Sequence, residues 1–122
     1  MNLLKETREI LKDNGRNIKD IKYVQGNDFG FSVDKFLELA DTEYNDGFGS
    51  PKVAEDLIVI GEDWWLERHE YDGSEWWEYK ELPSPLPIND NVYALTTNQS
   101  KEDIPLGYQN LASINGLKVK GE

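Results

Sequence analysis

The pair Asp72-Gly73 constrains this chain more than any other feature, because it separates two aromatic-rich runs of alternating character, Trp64 to Tyr71 and Ser74 to Glu81. A two-residue type I′ hairpin needs positive φ at both central positions, and Asp-Gly meets that need with little strain. Closing the turn there predicts the pairs Tyr71 with Ser74, His69 with Trp76, Glu67 with Glu78 and Leu66 with Tyr79. The side-chain period of two then sorts both runs onto two faces. Trp64, Leu66, Arg68, Trp77 and Tyr79 read as core. Trp65, Glu67, His69, Tyr71, Trp76, Glu78 and Lys80 share the other face, which is aromatic and acidic together.

The hairpin needs a layer to bury its core face, and the flanking sequence predicts one. From Asn2 to about Asn14, Leu3, Leu4, Ile10 and Leu11 fall on one helical stripe, which Asn14-Gly15 closes. A strand is expected around Ile18 to Val24, interrupted by Gly26-Asn27-Asp28. Ser32 reads as the N-cap of a second helix on which Val33, Phe36, Leu37, Ala40 and Tyr44 recur at helical spacing. Residues 45–51 read as a loop. Leu57-Ile58-Val59-Ile60 is a continuous apolar run and predicts a strand buried on both faces. The fold class expected is α+β, with two N-terminal helices packed on a small antiparallel β-meander and an irregular C-terminal segment. Pro83, Pro85 and Pro87 mark an extended connector, so residues 1–85 are expected to form the core domain. Residues 86–122 are expected to pack on it or extend it. Val92 to Leu95 and Leu117 to Val119 read as edge strands, and Ser100 with Asp103 as the opening of a short helix.

Charge bears on partners only once it is placed along the chain. The net charge is −11 over 122 residues, yet residues 41–81 hold thirteen acids against Lys52, Arg68 and Lys80, a local net of −10. Such a field repels phosphate backbones and anionic membranes and draws basic protein surfaces. No direct nucleic-acid or membrane contact is therefore expected. The absence of cysteine excludes disulfides and thiol nucleophiles and fits a cytoplasmic protein. The start MNLLKETREILKD lacks the basic-then-apolar layout of a signal peptide.

The block Gly61 to Pro83, GEDWWLERHEYDGSEWWEYKELP, resembles a motif of small uncharacterised proteins encoded by phages and prophages of low-GC Gram-positive bacteria. The preceding FSVDKFLELADTEYNDGFGSPKVAEDLIVI is similar to the same family, so the resemblance covers residues 31–83. It implies a phage-type accessory protein acting in a bacterial cytoplasm, and supplies no activity, ligand or catalytic residue.

The residues themselves offer few chemical constellations. His69 lies near Glu67, Glu70 and Glu78, but with no second histidine and no cysteine a zinc site is not expected, and a contact with Trp76 is the simpler outcome. Asp41 to Gly47 has the look of a calcium loop, yet Gly47 falls one position late and Lys52 stands where a bidentate glutamate belongs. No nucleophile elbow, phosphate loop or dinucleotide fingerprint is present, so neither catalytic residues, metal nor cofactor are expected. The expectation is a non-enzymatic acidic protein that binds a basic protein surface, such as that of a host nucleic-acid-binding protein, through Trp65, Glu67, His69, Tyr71, Trp76 and Glu78. The alternatives are a small-ligand or carbohydrate binder using the exposed Trp side chains, and an acid–base enzyme using His69 with a glutamate. Homo-oligomer formation through the C-terminal segment is also open.

Overall fold

The computed structural model describes residues 1–47 and 49–117. They fall into two compact units, Met1–Pro83 and Ser84–Glu122, which are described separately.

The first unit is an α+β structure in which two helices pack on a five-stranded antiparallel sheet. Helix α1 (Leu3–Asp13) begins at Asn2, whose side chain accepts from the Lys5 amide, and ends at Asn14 followed by Gly15 at φ +71°. Helix α2 (Val33–Ala40) begins at Ser32, whose hydroxyl accepts from the Lys35 amide. It stops four residues short of Tyr44, which leaves the helix pattern for a side-chain cluster described below. The strand expected from Ile18 is shorter, because Asn17 and Asp20 form a reciprocal cap that commits Ile18–Asp20 to a 3₁₀ turn. What remains is β1 (Tyr23–Gln25), which folds back through Gly26 on β2 (Gly30–Phe31), a strand absent from the sequence reading.

The hairpin β4 (Trp64–Tyr71) and β5 (Ser74–Glu81) has the expected register throughout, from Tyr71 with Ser74 to Trp64 with Glu81. Asp72 and Gly73 take φ +50° and +87°, as a type I′ turn requires. Strand β3 (Ile58–Ile60) pairs with both β1 and β4, giving the order β2-β1-β3-β4-β5. The apolar run was expected to be buried on both faces, but only Val59 is, while Ile58 and Ile60 are half-buried. The reason is that both helices lie on one side of the sheet.

Pairing aligns Phe31, Val24, Val59, Leu66 and Tyr79 in one row across all five strands. Leu3 and Leu11 of α1 and Phe36 and Ala40 of α2 close over this row, together with Trp64 and Trp77. Gly61 is tied to this packing, since a Cβ there would lie 2.0 Å from the Trp64 ring.

Among its described residues the second unit has one short helix, α3 (Leu111–Ile114). Val92 to Leu95 form no strand and Ser100 to Asp103 no helix. Side-chain to backbone bonds take their place: buried Asn115 accepts from the Tyr93 and Ala94 amides and donates to the Ala94 and Leu111 carbonyls. Of the strand expected at Leu117 to Val119, Leu117 has no regular structure, and Lys118 and Val119 lie outside the described residues. Among the described residues no helix is long and apolar enough to cross a membrane.

Candidate functional site

Neighbouring residues of β4 place two clusters of similar composition on opposite faces of the sheet. On the helix side, the Arg68 side chain is only 4% exposed and lies between Glu6 of α1 and Glu75 of β5, at 3.2 and 3.0 Å. Its guanidinium also donates to the Tyr44 hydroxyl and stacks 4.8 Å from the centre of the Trp77 ring. The carboxylates are satisfied further. Glu75 accepts from the Lys52 and Val53 amides, and Glu6 accepts from the Tyr44 hydroxyl and the Trp77 amide. The Trp77 indole donates to Thr7, whose hydroxyl donates to the Leu3 carbonyl.

This network fixes its protonation states. Burial alone would raise the Glu75 carboxyl, but the two amides and Arg68 outweigh it and hold Glu75 below its ordinary value. Burial and the hydrogen bond to Glu6 push the Tyr44 phenol up to about 12, against the opposing pull of Arg68. For Arg68, burial works against the charged form, and Tyr44, Glu6 and Glu75 more than offset it, leaving the guanidinium above its ordinary value. The arrangement joins α1, the loop after α2 and the hairpin into one body.

The opposite face carries the residues singled out from the sequence. Glu67 and Glu78 are direct cross-strand partners, as are His69 and Trp76. The imidazole sits between the two acids, with Nδ1 3.0 Å from Glu78 Oε2 and Nε2 3.8 Å from Glu67 Oε2. The second distance is too long for a hydrogen bond, and Nε2 has no other partner among the described residues. Lys80 reaches Glu78 at 3.3 Å. Glu67, His69 and Glu78 are each more than a third exposed. Trp65 and Trp76 are half-buried, neither open nor sealed, and Tyr71 is 76% exposed at the hairpin tip.

Long-range pairing adds residues the sequence did not reveal. Tyr23, Ile60, Trp65 and Lys80 form one row of this face, and Gln25, Ile58, Glu67 and Glu78 the next. The only local hint was the apolar run at Leu57 to Ile60, whose surplus of apolar positions over a one-sided strand left side chains for the second face.

The acids of residues 41–81 do not gather on this one surface. Glu75 is buried in the Arg68 network, Asp63 and Glu81 reach Arg16, and Glu43 reaches the amino terminus. The face itself holds Glu67 and Glu78 against Lys80 and His69. Fold and face together define a small α+β domain whose sheet surface opposite the helices carries aromatic rings and one opposed carboxylate pair balanced in part by His69 and Lys80. The chain matches no known family model, curated protein or solved structure.

Proposed function

We propose that the protein is a non-enzymatic binder that recognises a basic surface of another protein through the face carrying Trp65, Glu67, His69, Tyr71, Trp76 and Glu78. The observation that carries this reading is the direct opposition of Glu67 and Glu78 on a face that neither helix covers. Like charges in that position weaken a sheet by roughly 0.2–1 kcal/mol. His69 and Lys80 offset this only in part, since all four side chains are more than a third exposed. An arginine or lysine of a partner would satisfy both carboxylates, and an arginine would also stack on Trp65, Trp76 or Tyr71. Nucleic-acid-binding proteins present basic surfaces of this kind, for which paired carboxylates would stand in for phosphates.

Capture from a bacterial lysate tests this reading when run beside the double variant Glu67→Gln/Glu78→Gln. The expected result is a partner held at low salt, released at high salt and lost with the variant. A partner held equally well by the variant, or none at low salt, contradicts it. One observation favours a second reading, acid–base chemistry at His69: its contact with Glu78 lies beside a cleft of about 270 Å³ lined by Val53, Glu55, Arg68, His69, Glu70 and Glu75. A reaction that survives His69→Gln would exclude that reading.

A further inference from the structure

A second surface of the same unit has the makings of a binding site independent of the sheet face. Between α2, the β1–β2 hairpin and the turn at residues 54–57 runs a groove of about 260 Å³. Its floor is core, formed by Phe36 and Ala40, while two of its walls stand open: Phe29 is 74% exposed and Leu39 60%. Large apolar side chains left open on either side of a concave apolar floor are what an interaction site looks like. The volume falls just below the roughly 300–1,000 Å³ of pockets that enclose whole small ligands. It suits one or two side chains anchoring a peptide.

The charge around the groove selects the kind of peptide. Asp28 and Asp56 line it, and no lysine or arginine does. Asp28 has no hydrogen bond or ion pair among the described residues. Asp56 is held in place by the hairpin turn, its Oδ2 accepting from the Asn27 amide at 2.8 Å. Glycine at position 26 leaves room for this approach, since a Cβ would lie 2.7 Å from the same oxygen and push the carboxylate aside. The Asn27 amide therefore orients a carboxylate at the edge of an apolar slot before any partner arrives, and a pre-placed group loses less freedom on binding.

The geometry points to a docking groove for a short peptide segment that presents one or two aliphatic or aromatic side chains beside a lysine or arginine. The apolar side chains enter between Phe29 and Leu39, and the cation meets Asp28 and Asp56. An acidic peptide or an anionic lipid would meet repulsion at the same rim.

Amide NMR titration of the full chain tests this with three acetylated, amidated tetrapeptides: Leu-Lys-Leu-Arg, its acidic counterpart Leu-Glu-Leu-Glu, and Gly-Lys-Gly-Arg, which keeps the charge without the anchors. The expected result is that only Leu-Lys-Leu-Arg shifts the resonances of Phe29, Phe31, Leu39 and Asp56, at millimolar concentration. Leu39→Lys, a change at an exposed helix position, should weaken that binding by about tenfold or more. Asp28→Asn should weaken it by a smaller factor, and Glu67→Gln/Glu78→Gln should leave it unchanged. Equal shifts from the acidic peptide, from the anchor-free peptide, or none from any of the three would overturn the proposal. So would groove resonances that move on dilution without peptide, because the occupant would then be a second copy of the chain.

Discussion

Arg68 and His69 are adjacent in sequence, and each lies between two glutamates, yet the two clusters behave as different objects. Around Arg68 the side chains are 4 to 11% exposed, and the carboxylate oxygens accept from backbone amides and hydroxyls as well as from the guanidinium. Around His69 they are 34 to 38% exposed, and the second imidazole nitrogen has no hydrogen bond. Burial decides the difference. Charges removed from water must be matched by hydrogen bonds on the spot, so all four carboxylate oxygens of Glu6 and Glu75 and both terminal guanidinium nitrogens are bonded, leaving only Arg68 Nε without a partner among the described residues. The carboxylates of the His69 cluster, 34 to 38% exposed, are solvated in part by water and need fewer bonds from the protein.

The comparison breaks most visibly at Arg68. Arg68→Met leaves Glu6 and Glu75 buried without their cation and should cost about 3–5 kcal/mol of stability, read from the urea midpoint. His69→Gln, one residue along, should stay within about 0.5 kcal/mol of the wild type. Equal losses for the two would erase the distinction.

A pH titration of stability sharpens the same contrast. Glu75 is held below its ordinary value in the folded state, so its contribution is present above about pH 4.5 and lost as pH falls through the folded value. Tyr44 is held up to about 12, so its contribution is present below pH 10 and lost as pH rises from there toward 12. Unfolding midpoints should therefore decline at both ends. Glu75→Gln should flatten the acid limb and Tyr44→Phe the alkaline one.

The smallest effect belongs to the open face. Glu67→Gln removes one of two opposed like charges and leaves the contact between His69 and Glu78 in place. Stability should rise by about 0.2–1 kcal/mol at low salt, and the gain should shrink as salt is added.

How much of this was legible in the sequence follows from the reach of each interaction. The β4–β5 register was, because Asp72 and Gly73 set it locally and every pair follows from the turn. Both helix starts were, because Asn2 and Ser32 cap within their own first turn. The pairing of β1 with β3 was not, since three-residue strands separated by more than thirty positions carry no mutual signal, and Tyr23 and Ile60 were missed on the open face for that reason. Glu75 read as one more acid of a charged meander. Its burial depends on Arg68 across the ladder and on the Lys52 and Val53 amides from a distant loop. Tyr44 continued a helical spacing, but the hydroxyl is drawn to Glu6 and Arg68 from outside the helix. In the second unit, Asn115 replaced the expected strand pairing with side-chain bonds that no periodicity announces.

The claim at the centre is that the exposed cluster recognises a partner and the buried one only holds the fold. Capture and urea unfolding, measured together on Glu67→Gln/Glu78→Gln, test it directly. The account predicts loss of the salt-sensitive partner with stability within about 0.5 kcal/mol of the wild type. Undiminished capture, or a fall in stability approaching that of Arg68→Met, would contradict it.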